Sequence, residues 1–193
     1  MVSYQGTFQP FDDSSFLACP PPFSRSRSDV QLRTYPSATI SGYLQKYHPK
    51  FMFLVQLSKL DWQMADPSFR GTLFVPRENS IDESSLLVMD QSRARLIVKY
   101  HLLTDGTFPR EVLSTSLFQQ LETAVPGSPI LAFWDQDRDA PSSFSERLCL
   151  NTSLNWVDEF DIACSNGLVH CIRRPMMPFE GAATTCLRSS SLY

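Results

Sequence analysis

Apolar side chains recur along the middle of this chain in two rhythms, and the change from one to the other predicts its layout. From Thr39 the spacing is helical. Thr39 or Ser41 can cap a helix carrying Leu44 and Tyr47, Pro49 interrupts it, and Phe51, Leu54, Val55 and Leu57 mark the inward face of a second helix reaching Leu60. Gly71-Thr-Leu-Phe-Val-Pro76 is a continuous apolar run closed by proline, the pattern of a short buried strand. Residues 84–89 predict a helix, and 92–100 are mixed, with Leu96 and Val98 apolar. Residues 111–122 predict a strand or a helical turn, 129–134 a strand, and 135–145 an acidic loop containing proline. Residues 147–156 and 161–172 supply the last strands. Helices mixed with antiparallel strands define an α+β fold, and no internal repeat is visible.

The sharpest local signal lies in 158–178. Apolar runs flank Asn166-Gly167, which predicts a hairpin with these two residues as its turn, since both tolerate positive φ. That register sets Cys164 opposite Val169, with Cys171 one diagonal step away and too far for an unstrained disulfide.

Residues 1–38 follow neither rhythm. They contain Pro20-Pro21-Pro22 and Ser24-Arg-Ser-Arg-Ser28, yet Tyr4, Phe8, Phe11, Phe16, Phe23 and Tyr35 punctuate them. A purely solvating tail is poor in aromatics. Spaced rings on a proline-stiffened arm suit docking into grooves, on another subunit or on the arm's own domain; a plain disordered tail is the remaining alternative. Residues 180–193 form a polar tail, which leaves 39–179 as the globular domain.

Composition narrows the function. The net charge of −3 gives no basic footprint for nucleic acid. No apolar run is long enough to span a bilayer. The first residues carry neither a charged leader nor an apolar core, so no secretory signal is expected. The cysteines Cys19, Cys149, Cys164, Cys171 and Cys186 are odd in number and read as thiols. Asn151-Thr152-Ser153 fits the glycan acceptor pattern, which matters only in a secreted protein.

Candidate chemistry is sparse. Cys164, His170 and Cys171 lack a fourth ligand at zinc spacing. Asp135-x-Asp137-x-Asp139 opens like a calcium loop but lacks the glycine and the distal glutamate. No nucleophile signature surrounds Cys149 or Cys164 as partners for His101. No glycine-rich phosphate loop is present. The expectation is no catalytic residue, no metal, no cofactor and no small-molecule substrate.

Three separated blocks carry a family resemblance. Gly71-Thr72-Leu-Phe-Val-Pro76 resembles the early strand of fasciclin-like domains. Val98-Lys-Tyr100-His101-Leu-Leu103, followed by Gly106, resembles their Tyr-His motif. Asn166-Gly167-Leu-Val-His170 resembles their closing hairpin. The segment after Pro76, Arg77-Glu-Asn-Ser-Ile81, departs from the family pattern. The resemblance implies a wedge of two twisted, mainly antiparallel sheets flanked by helices, to which the composition of residues 1–38 adds an extended N-terminal arm. It also implies an adhesion role without an active site. Thr72, Pro76, Asn166, Gly167 and His170 would then be structural, and a partner surface would lie near Tyr100 and His101. Read from the residues alone, Tyr100, His101 and His170 are satisfied hydrogen-bonding groups of the fold.

The expected function is therefore a non-enzymatic subunit that cements a large assembly, such as a virus capsid, by burying Tyr4, Phe8, Phe11, Phe16 and Phe23 against other protein subunits. Its place would be the virion or an intracellular assembly. The alternative is a secreted or cell-surface adhesion protein binding matrix or receptor, which predicts disulfides or a glycan on Asn151.

Overall fold

The computed structural model describes residues 34–35, 38–136 and 146–178. The arm aromatics Tyr4, Phe8, Phe11, Phe16 and Phe23, the acidic run beyond Gln136 and the polar tail lie outside the described residues.

The helices are α1 (Ile40–Tyr47), α2 (Pro49–Leu57), α3 (Asp61–Ala65), α4 (Glu83–Leu87), α5 (Gln91–Tyr100) and α6 (Arg110–Leu113). The strands are β1 (Thr34–Tyr35), β2 (Thr72–Pro76), β3 (Leu102–Leu103), β4 (Phe118–Leu121), β5 (Ile130–Gln136), β6 (Glu146–Leu150), β7 (Thr152–Cys164) and β8 (Gly167–Ile172). Thr39 caps α1, accepting from the Gly42 N–H. Pro49 opens α2 as its first residue, where its missing N–H costs nothing, instead of interrupting a helix interior. On α1 the buried side chains are Ile40, Tyr43 and Leu44, while Tyr47 is 39% exposed.

The mixed stretch 92–100 is a helix. Asp90 caps it by accepting from the Arg93 N–H at 2.8 Å, and Ala94, Ile97 and Val98 recur at helical spacing on its inner face. Arg93 and Arg95 occupy the outer face, and these charges mask the periodicity when the segment is read linearly.

The strands run in the order β3-β2-β8-β7-β6-β5-β4, with β1 beside β7. β7 belongs to two sheets. Its start pairs with β6, and from Val157 onward it pairs with β8, with register shifts between Val157, Glu159 and Ile162. Such bulges bend a strand and raise its twist, which lets β7 pass from one sheet to the other. Most pairs are antiparallel, but β2 runs parallel to β8, and β1 to β7.

Two cores result. Leu73, Val75, Val169 and Cys171 pack with Ile40, Leu44, Phe51 and Val55 of α1 and α2. Phe74 and Ile172, on the opposite face, pack with Tyr100, Leu113, Ile130, Leu148 and Leu150. β2 is buried on both faces, which is why its sequence is continuously apolar and does not alternate.

The hairpin turn differs from expectation by one residue. Ser165-Asn166 forms the turn, and Cys164 pairs with Gly167, Ala163 with Leu168 and Ile162 with Val169. Neither Asn166 nor Gly167 has positive φ. Glycine is required at 167 for closeness: a Cβ there would lie 2.6 Å from the Gly71 carbonyl oxygen and 2.8 Å from Ile40 Cδ1. Gly167→Val is therefore expected to push β8 off β2 and cost roughly 3 kcal/mol, as overpacking does. A urea midpoint within experimental error of the parent would refute the crowding argument.

Candidate functional site

The three sequence blocks, separated by up to 100 residues, meet side by side. β2 lies between β3 and β8, pairing Thr72 with Leu103 on one side and with Leu168 on the other. Pro76 ends the ladder opposite Ile172. Thr72 is buried; its Oγ1 accepts from the Phe108 N–H at 2.8 Å and donates to the Gly106 carbonyl at 3.2 Å, tying the loop before α6 to the sheet.

His101 follows the last turn of α5 and is fully buried against Phe51. Its Nδ1 donates to the Ile97 carbonyl at 2.8 Å, and its Nε2 accepts from the Met176 N–H at 3.0 Å, so both ring nitrogens are used. Burial pushes its pKa down to about 4, against a smaller raising effect of the Ile97 carbonyl, so the ring is neutral near pH 7. Tyr100 is equally buried. Its hydroxyl donates to the Pro129 carbonyl and accepts from Asn151 Nδ2 at 3.0 Å. The resemblance led to a partner surface near Tyr100 and His101. In this fold both side chains are interior, and what they hold is the end of α5, the β5–β7 region and the segment at Met176.

His170 pairs with Phe74 across β2 and β8 and is also fully buried. Nε2 donates to the Phe108 carbonyl at 2.8 Å, and Nδ1 accepts from the Asp161 N–H at 3.1 Å. Burial lowers its pKa, with the Phe108 carbonyl and the Asp161 carboxylate opposing. Asp161 has φ 59° at the β7 bulge, and its carboxylate accepts from the Arg110 N–H at the start of α6. Asn166 is fully buried. It accepts from the Ile40 N–H at 2.8 Å and donates to the Met64 and Asp66 carbonyls at 2.9 and 2.8 Å.

Sequence reasoning gave Asp161 and Asn151 no part in holding the fold. Both adopt positive φ, which Asp and Asn tolerate best among residues with a side chain. Asn151 was legible only as a glycan acceptor. Its amide spans the interior, accepting from the Leu131 N–H at 2.9 Å while donating to Tyr100. Asp161 had one available signal, an acidic residue interrupting an apolar hairpin arm.

With the motif side chains closed on each other, several large apolar groups face outward among the polar ones. Leu117 and Phe118, at the start of the edge strand β4, are 78% and 58% exposed, and Val112 on α6 is 42% exposed. Leu87 and Val88, at the end of α4, are 88% and 85% exposed. A shallow cavity of about 220 Å³ beside Asn151, Leu154, Met176 and Met177 offers little enclosure. Among the described residues, no group of three metal-ligating side chains converges, and no helix is long and apolar enough to cross a membrane.

A family model described as the fasciclin domain matches residues 46–178. Among solved structures, a FAS1 domain pair from the insect cell adhesion molecule Fasciclin I is similar, with a TM-score of 0.57 and 20% identity over 74% of this chain and 51% of that one. The present chain thus spans about half the length of that structure, and at such identity the likeness is one of fold. No curated protein matches the chain.

Proposed function

Because this chain belongs to the fasciclin domain family, we propose that it is a non-enzymatic interaction module, a globular domain over 39–179 that joins protein subunits through its surface and its N-terminal arm, residues 1–38. The observation that carries this reading is the division of side chains. The polar groups that could do chemistry at the motif, His101 and His170, spend both ring nitrogens inside the fold, while Leu117 and Phe118 stand exposed beside the side of β4 that pairs with no other described strand. An edge strand flanked by exposed apolar residues is a template for another chain.

Within that function, the assembly reading is favoured over the secreted one. The β7–β8 register sets Cys164 and Cys171 roughly four residues, about 13 Å, apart along the hairpin, beyond the reach of a disulfide. Asn151 Nδ2, the atom a glycan would occupy, is engaged with the Tyr100 hydroxyl. A large shell such as a virus capsid, cemented by Tyr4, Phe8, Phe11, Phe16 and Phe23 of the arm, fits these features; a secreted adhesion protein is the second reading.

Limited proteolysis tests the proposal. The arm is expected to be cut in the isolated chain and protected in native material, and cutting in both would overturn trans docking. Leu117→Ser with Phe118→Ser is expected to leave stability within about 0.5 kcal/mol, as exposed substitutions do, while weakening retention of the chain in the native assembly. Unchanged retention would remove the β4 edge from the interface.

A further inference from the structure

A cleft of about 410 Å³ opens between the end of α1, the turn after β2 and the paired strands β7 and β8. Cys171 lies on its wall with His48, from 123 residues earlier in the chain; Sγ is 3.7 Å from Nε2. The Tyr43 hydroxyl is 3.4 Å from the same nitrogen and 4.0 Å from the sulfur. His48 is only 9% exposed. We propose that Cys171 is a reactive thiol with His48 as its base, a covalent modification site for small electron-poor alkenes that enter this cleft.

The geometry supplies each part. A thiolate is the nucleophile, and a thiol becomes one at neutral pH when an adjacent base takes its proton. With its proton on Nδ1, the imidazole presents the Nε2 lone pair to Sγ. Burial lowers the pKa of His48, which keeps the ring neutral and able to accept. The charges around it favour the imidazolium once formed. Glu78, after β2, and Glu159, on β7, both raise its pKa, as does the Pro76 carbonyl. Arg77 and Asp158, also facing the cleft, are held to each other at 2.6 Å, so the arginine's charge is largely cancelled. Tyr43 and Tyr47 from α1 complete the wall, and the Tyr43 hydroxyl can donate to the developing thiolate.

The step balances without a further reactant. Sγ gives its proton to Nε2 and its electron pair to the β-carbon of the alkene. The π pair moves to the α-carbon, which takes the proton back from the imidazolium, leaving a thioether and a neutral histidine. The other described thiols sit in different surroundings. Cys164 has burial alone acting on it, which raises its pKa to about 11. The Cys149 sulfur lies 3.9 Å from the Arg147 and Ser153 carbonyls, which hold a thiol and do not deprotonate it.

The test is the pH dependence of modification of the full chain by N-ethylmaleimide, followed cysteine by cysteine by peptide mass spectrometry. An unassisted thiol reacts about tenfold faster per pH unit below its pKa of about 8.5. Cys171 is expected to react at a rate that changes less than threefold between pH 6.5 and 8.5. In His48→Asn its rate at pH 6.5 should fall at least tenfold and the tenfold-per-unit rise should return. A tenfold-per-unit rise in the parent protein, labelling of Cys171 only after unfolding, or a folded His48→Asn variant with an unaltered profile would each overturn the proposal. The parent profile decides by itself if that variant does not fold. The result is independent of whether the arm docks in trans.

Discussion

Asn166→Ala is expected to cost about 4 kcal/mol, because three backbone groups lose their partner together and a buried unsatisfied polar group costs roughly 1–3 kcal/mol. The Ile40 N–H belongs to the first residue of α1, where a helix has no internal acceptor to offer. The Met64 and Asp66 carbonyls lie at the end of α3. One amide therefore ties α1 and α3 to the closing hairpin, and its removal should loosen all three. Against a typical domain stability of about 5–15 kcal/mol, that loss moves the protein close to its unfolding threshold. Asn166→Asp should be at least as damaging, since it keeps the acceptor for Ile40 but turns a carboxylate toward two carbonyls. Urea unfolding of both variants measures this; a loss below about 1 kcal/mol for Asn166→Ala would mean that water reaches the three groups and replaces the amide.

Acid is expected to destabilise the domain well above the carboxylate range. All three histidines of the chain have pKa values lowered by burial, His101 to about 4. The unfolded chain takes up these protons near pH 6.5, before the folded one does, so stability is complete above that pH and is lost as pH falls from 6.5 toward 4. His101 alone should remove about 3 kcal/mol by pH 4, at 1.36 kcal/mol per pH unit, and His48 and His170 add to it with the same sign. His101→Gln keeps an acceptor for the Met176 N–H but does not titrate. It should be less stable at pH 7 yet show a dependence between pH 4 and 6.5 that is shallower by about one proton. Chemical denaturation across that range is the measurement, and an unchanged slope would show that His101 is not the group responsible.

Both predictions concern residues that the sequence singled out for partly different reasons. Asn166 and Gly167 were legible as a turn because they stand between apolar runs, and a turn is there. The chain reverses one residue earlier because the Asn166 amide is captured by α1 and α3, segments about a hundred residues away that no local rule can see. Tyr100 and His101 were legible as a motif, and chemistry alone favoured satisfied structural groups over a surface. That they are interior follows from α5 ending against β3 and the Met176 segment. The helix over Gln91–Tyr100 was obscured because only one of its faces is apolar.

What the sequence determined was local in origin. The α+β class, the helix start at Thr39, the buried run at Thr72–Pro76, the closing hairpin and the order of the three blocks all follow from spacing, capping and turn chemistry within a few residues. The tertiary structure decided everything that depends on distant neighbours. It set β2 parallel to β8 so that Leu73 and Phe74 serve opposite cores, bent β7 at Asp161 to bring a carboxylate to α6, and placed His48 against Cys171. The reason is that burial and hydrogen-bond satisfaction belong to the packed chain as a whole: a residue's neighbours in space, which fix its register, its proton and its reactivity, are absent from any window of the sequence.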